Sequence, residues 1–585
     1  MLNENLLLGV RRPGRYIGQE WNVSRKDRSQ ADVSFCLCFP DLYDVGMSNL
    51  GLRILYDILN KKDSYVCERL FCPDTDMQDV LKQNNELLYS LESGTPVKDF
   101  DFLGFSLGYE LLYTNVLSVL ELSGIPYEAA LRDYTFPLII GGGPCVLNPE
   151  PMHEFFDLFV IGEAEDVSIE LCDLYSRFKN DFKKGRFSKE ALLREFAKIK
   201  GVYVPSLYDV KHGETGGVES FTPRYTDVPA VIEKRIVIDL DKAVFPVQWL
   251  VPYVQVIHDR VTLEIMRGCP NTCRFCQARS LYYPLRFRSP GTVMNLAMET
   301  YRCTGYEEIA LGGLSVSDYP GFGELLKPLV DYFKKYAVSI SLPSIRPKLM
   351  LGSFSSLIAS VRKTGLTFAP EAGSERLREV LSKNFETEDF FTAVEESYKA
   401  GYQHVKLYFM TGIPTEKTED LDSLIEFSTQ VSDLRRKTNR GPAEVNISIN
   451  TMIPKPHTAF QWAGMDGTDG MKEKQDYLKN KVKNKRLKFN FHNRYMSFLE
   501  GIFSRGDRRL SRVIIRAYKK GCRFDAWSEH FNFETWMESF EEEGISPEYY
   551  LGEKSTDEFL PWDFISTGVS KDLLLKEYRA TTGVS

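Results

Sequence analysis

Short apolar runs alternate with amphipathic stretches through the first third of the chain. Residues 33–40 (VSFCLCFP) read as a strand ending at Pro40, and 50–60 (LGLRILYDILN) carry apolar positions at helical spacing behind it. The unit recurs at 100–107 (FDFLGFSL) with 109–124, at 137–144 (PLIIGGGP), and at 156–166 (FDLFVIGEAED) with a helical stretch to about residue 175. Strands without polar alternation are covered on both faces, so this pattern predicts a parallel, doubly wound sheet. Ligands of such sheets sit beyond the carboxyl ends of the strands. Here those are the glycine- and acid-rich loops 41–46, 106–110, 141–144 and 162–165.

The chain turns charged and then turn-rich over 177–226, with 211–220 (KHGETGGVES) as the clearest break, which puts the first domain at 1–225. A second series follows, with strand candidates at 261–266, 308–313, 337–344, 366–371, 404–412 and 445–454 and helical stretches between them. Six strands alternating with helices predict a partial or complete β/α barrel over 226–470, with its chemistry at the strands' carboxyl ends. Past 464–470 (GMDGTDG) a mainly helical extension, 471–585, is expected. The fold class is therefore α/β: a Rossmann-like domain, a barrel and a helical extension.

The 585 residues are 43% hydrophobic and 26% charged, enough to bury several cores and too apolar for a disordered chain. With 73 Lys and Arg against 81 Asp and Glu the net charge is −8, which gives no general attraction to nucleic acid or anionic membrane. Nine basic against three acidic residues over 471–500 make one local exception: a solvated helix face, or a patch at 471–489 for an acidic partner or RNA. No run of about 18 apolar residues occurs, and the first residues lack the features of a secretory signal, so a cytoplasmic protein with no membrane span is expected. Eleven cysteines in such a chain are read by spacing rather than as disulfides.

Strand 261–266 runs into 267–278 (RGCPNTCRFCQA), which puts Cys269, Cys273 and Cys276 in one loop. A structural zinc site takes four protein ligands, whereas three cysteines on a cubane iron-sulfur cluster leave one iron open. With Phe275 before the last cysteine, the motif resembles that of the radical S-adenosylmethionine (SAM) superfamily. The resemblance implies a 4Fe-4S cluster, SAM chelated at the open iron, reductive cleavage to a 5′-deoxyadenosyl radical, and an electron donor such as flavodoxin or ferredoxin. It also implies SAM contacts from Gly312 and Gly313 in 311–318 (LGGLSVSD), where Leu314 replaces a frequent acid, and from Glu371 and Ser374 in 368–377 (FAPEAGSERL). Ser341 and Arg346, and Lys406 and Tyr408, are placed on the same rim. Ser374 has a second reading as a helix cap.

The first domain reads DLYDVG at 41–46, and cobalamin-binding domains carry D-x-H-x-x-G in this place. Asp41 and Gly46 fit and Tyr43 holds the position of the axial histidine, so either cobalamin binds without a protein ligand or the domain has lost it. Over most of its length the chain resembles the cobalamin-domain class of radical SAM proteins, and 38–56, 101–117, 453–462, 504–510 and 560–563 look like an uncharacterised bacterial family of that class. Arg505, Asp507, Arg508 and Arg509 are read either as a cover for the barrel mouth that holds substrate or as a surface charge cluster. The expected function is SAM cleavage on a substrate the sequence does not identify, with methyl transfer if cobalamin binds. The alternatives are an RNA-modifying, methylthiotransferase-like enzyme and a non-catalytic iron-sulfur sensor.

Overall fold

The computed structural model describes residues 4–213, 216–342, 366–383, 385–438 and 440–582. Its first sheet holds β1 (Val33–Phe39), β2 (Tyr65–Phe71), β3 (Phe102–Ser106), β4 (Leu138–Gly142), β5 (Leu158–Val160) and β6 (Val202–Tyr203). The order is β2-β1-β3-β4-β5-β6, with only β6 antiparallel. Every residue of β1 and β2 is buried, as expected of strands covered by helices on both sides. The strand order reverses between β1 and β3, and this switch point is where doubly wound sheets hold ligands.

A hairpin, β7 (Tyr208–His212) and β8 (Val218–Pro223), and a short strand, β9 (Ile232–Glu233), lead to the barrel. One parallel arc holds β10 (Val261–Glu264), β13 (Glu308–Gly312) and β14 (Ser339–Ser341). Between them, β11 (Met266–Arg267) pairs antiparallel with β12 (Arg286–Phe287). A second parallel arc holds β15 (Leu366–Glu371), β16 (Val405–Thr411), β17 (Val445–Thr451) and β18 (Leu487–Phe491). Residues alternate along β16: Val405, Leu407 and Phe409 pack among the outer helices, while Lys406, Tyr408 and Met410 lie on the other, half-buried face.

The barrel does not stop at residue 470. Helix Thr468–Lys481 and β18 continue its βα alternation to residue 491, inside the stretch read as a helical extension. That basic helix is also partly neutralised, since Lys474 pairs with Glu416 and Asp466 and Lys481 with Asp422. The extension proper packs back on the first domain: Tyr518 of helix Leu510–Lys519 donates to Glu121 on helix Tyr113–Leu122 at 2.6 Å. The chain then returns to the barrel, where β19 (Ile565–Ser566) pairs with β9 and helix Lys571–Thr582 packs near Trp462.

Candidate iron-sulfur site and its surroundings

The three thiols follow β10 and β11 through a turn at Gly268, whose φ of +92° and close approach to the Tyr282 and Pro284 carbonyls admit no side chain. All three are partly exposed. Cys269 Sγ accepts from Asn271 Nδ2 at 3.2 Å, and the same amide reaches Asp318 at 3.2 Å. Ser315 also donates to Asp318, at 2.6 Å, so the thiol loop is tied to the segment after β13. Cys276 precedes helix Gln277–Leu281 as its N-cap. Burial pushes its thiol up, while the backbone N–H groups of Arg279 and Ala278 and the Lys383 ammonium favour the thiolate.

Behind the loop, Arg274 donates to the Glu379 and Val380 carbonyls at 2.8 and 2.9 Å, and Phe275 packs on the cluster that holds Leu377, Trp462 and Trp562. Among the described residues no three His, Cys, Asp or Glu side chains gather around one point, as a mononuclear zinc site requires. A cubane takes one thiolate per iron, and three thiols spread along one loop suit it.

Buried groups fix this loop to the rest of the molecule. Lys234 donates to the carbonyls of Ser280, Leu281 and Tyr283 at 2.5 to 3.0 Å, closing the helix that starts at Cys276, and burial draws its pKa down to about 8. Ser280 donates to the His457 carbonyl at 2.6 Å, and the buried His457 ring bonds the Leu147 carbonyl of the first domain. Burial lowers the pKa of that ring to about 4. Arg267, two residues before Cys269, meets Glu163, Glu165 and Glu264 at 3.1, 2.8 and 2.9 Å, and Arg286 meets Glu163 at 2.6 Å. The acids of loop 162–165 therefore clamp the barrel instead of lining a ligand cleft.

The expected SAM-contacting residues divide. Gly312 and Gly313 stand at the end of β13, where added side chains would lie 2.9 Å from Thr262 and 2.5 Å from Met266, and the Gly312 carbonyl already accepts from the Ile265 N–H. Glu371 ends β15 at φ +68°; burial raises its pKa and Lys383, 3.4 Å away, opposes this. Ser341 ends β14, half-buried. Ser374 is a helix cap, as its second reading had it: it accepts from the Leu377 N–H at 3.3 Å and donates to Asp420 at 2.6 Å. Lys406 is not on the rim, because it is the second residue of β16, about 16 Å before the strand's end at Thr411. Its ammonium lies over the Tyr408 ring at 4.6 Å. Arg346 lies outside the described residues. Asn271, Asp318 and Lys383 belong to the site and were not singled out from sequence; an amide between two thiols and an acid beside the glycine segment were the available signals.

Two stretches match family profiles: residues 51–205 match the N-terminal domain of radical SAM proteins, and 263–428, which include all three thiols, match the radical SAM superfamily. An uncharacterized protein of Methanocaldococcus jannaschii is 30% identical over 510 residues, 87% of this chain and 97% of that protein. The chain belongs to the radical SAM superfamily. A tRNA-2-methylthio-N(6)-dimethylallyladenosine synthase of a Hydrogenobaculum species is 25% identical over 174 residues, 28% of this chain and 39% of that enzyme. In overall shape this radical SAM protein is similar to the methyltransferase TsrM of Kitasatospora setae with tryptophan and a SAM analog bound (TM-score 0.45, 15% identity, 74% of this chain and 77% of that one). It is likewise similar to OxsB with aqua-cobalamin and SAM bound (TM-score 0.47, 11% identity, 93% and 78%).

The DLYDVG loop of this radical SAM protein is built for packing. Asp41 is buried and accepts from Leu42 N and from Trp527 Nε1 at 2.7 and 2.9 Å. The buried Tyr43 donates to Glu20 at 2.8 Å and sets its ring edge-on to Phe71, and Gly46 leaves room for that same ring, 2.3 Å from where a Cβ would stand. With Asp41 and Tyr43 both committed inside the protein, these residues do not fit a cobalamin. The arginines of the extension face inward as well: Arg508 pairs with Glu150 at 2.7 Å, and the buried Arg505 donates to the Leu551 and Gly552 carbonyls. They form neither a surface cluster nor a substrate cover.

Proposed function

We propose that this radical SAM protein binds a 4Fe-4S cluster on Cys269, Cys273 and Cys276 and is an enzyme that cleaves SAM reductively. The observation that carries the reading is the loop itself: three thiols after the first barrel strand, with N–H donors aimed at two of them. When bound, the reduced cluster would supply one electron to the sulfonium of SAM, whose carbon–sulfur bond would break to give methionine and a 5′-deoxyadenosyl radical. The chain's own part is to position and to shield. The Asn271 amide and the start of helix Gln277–Leu281 hold negative sulfur in place, and Phe275 packs with Trp462 and Trp562 in an apolar cluster beside the loop. Glu371 and Lys383 bring a charged pair to the rim beside Cys276, which suits the charged end of SAM. The electron comes from a low-potential carrier such as ferredoxin or flavodoxin, and the reducing cytoplasm suits eleven cysteines that form no disulfide. Among the described residues no helix is long and apolar enough to cross a membrane.

The test is anaerobic. After reconstitution with iron and sulfide and reduction, wild-type protein given SAM should form 5′-deoxyadenosine, and Cys276→Ala should form none. Equal product from both proteins would refute the assignment, and a cluster that never consumes SAM in any condition would favour a sensor. RNA is a second reading for the substrate, supported by the partial tRNA-enzyme relative and by exposed lysines of the basic stretch such as Lys472 and Lys483. It requires tRNA binding that weakens steeply with salt; binding that is absent or indifferent to salt removes it.

A further inference from the structure

After each of the five parallel strands of the first sheet, the carboxyl edge is met by the protein's own chain. After β1, Asp41 is held by Trp527; after β2, Gln78 accepts from Arg523 at 3.0 Å. After β3, Glu110 takes the half-buried Lys455 ammonium at 2.7 Å, and Lys455 also pairs with Glu500 at 2.8 Å. After β4, Leu147 meets His457, and Asn148 donates to the Ser504 and Gly506 carbonyls at 3.0 and 2.8 Å. After β5, Glu163 meets Arg267 and Arg286. Every one of these partners belongs to the barrel or to the extension.

The cover is tightest at the switch point between β1 and β3. There Phe524 donates its backbone N–H to Asn115 Oδ1 at 2.8 Å, and Asn115 Nδ2 donates to the Pro40 carbonyl at 2.9 Å. Thr114 and Trp536 donate to Asp525 at 2.6 and 2.9 Å. Asn115, Phe524, Asp525 and Trp536 are all buried, and Phe524 is held at φ +53°, a strained conformation that surrounding contacts must maintain.

We infer that residues 521–527 are a built-in occupant of the first domain's ligand position, and that this protein works without a corrin. A corrin is a flat macrocycle that has to lie against the carboxyl edge of the sheet, and the direct bonds across that edge leave it no layer to occupy. The domain serves as a docking base that carries the extension and, through Glu163, steadies the thiol loop. Carbon transfer through cobalt is then not part of the reaction, and this conclusion stands or falls separately from the cluster assignment.

Two measurements decide it. Protein incubated anaerobically with hydroxocobalamin and passed over gel filtration should carry no corrin absorbance, before or after cluster reconstitution. About one corrin per chain after filtration would overturn the inference. In the second, Trp527→Phe keeps the ring and removes the N–H to Asp41, so hydrogen exchange of 521–527 should quicken about tenfold, the loss expected of one net hydrogen bond. Exchange that is unchanged in the variant would mean that the segment is not held at the switch point and would overturn it equally.

Discussion

Asn271 shows how much of the candidate site rests on single side chains. Its amide spans Cys269 and Asp318, and hydrogen bonds to cluster sulfurs raise the reduction potential. Asn271→Ala is therefore expected to keep the iron content and to lower the potential; an unchanged midpoint in an EPR-monitored redox titration would count against the contact. His457 gives a pH dependence. Its pKa falls from the usual 6.5 to about 4 in the fold, so the unfolded chain binds the extra proton between those values and stability is lost as pH falls through them. From pH 7 to 5 the wild type should lose about 2 kcal/mol more than His457→Gln in thermal or denaturant unfolding; parallel losses would contradict a buried neutral ring. The cysteines were legible at this scale because their chemistry lies in their spacing. Ser374 and Lys406 were less so, since a serine before a helix and a lysine on a strand read alike whether they meet a ligand or the protein, and only the third dimension tells them apart.

Elements were legible where burial is apolar. β1, β3 and β4 announce themselves, but β2 reads YVCERLF, and Glu68 and Arg69 interrupt the pattern. Both are buried with partners: Glu68 accepts from Ser90 and Ser93, and Arg69 lies between Glu20 and Glu92. β18 hid for the opposite reason, because its open face carries Lys488 and Asn490 inside a basic stretch. Two substitutions test how elements are joined. Gly373, in the AGSE segment, would place a Cβ 2.3 Å from the Leu424 backbone nitrogen, so Gly373→Ala must push helix Thr418–Leu434 aside and cost about 3 kcal/mol. Lys234→Met would strand the buried carbonyls of Ser280 and Leu281 and free that of Tyr283 at the end of the helix that begins at Cys276, at a cost of about 3 kcal/mol. Thermal melts check both, and a melting temperature equal to that of the wild type in either would show that the element is free to shift.

At the scale of the whole molecule the three parts share one interface. The core that begins in the first sheet continues through Phe503, Ile514 and Trp536 of the extension, and the thiol loop sits where the first domain, the barrel and the C-terminal helix meet, with Arg279 paired to Glu577 at 2.7 Å. The alternation of strands and helices made the two α/β units readable from sequence. Their mutual packing was not readable, because the contacts that make it join residues more than a hundred positions apart, such as Asp41 with Trp527 and Glu163 with Arg286. The central claim is that three thiolates hold a cluster whose fourth iron is open to SAM. It is tested most directly by EPR of the reduced, reconstituted protein with and without SAM. A signal of about one spin per cluster whose g-values shift when SAM is added, and which is lost in Cys276→Ala, is the expected result; a spectrum indifferent to SAM would contradict it.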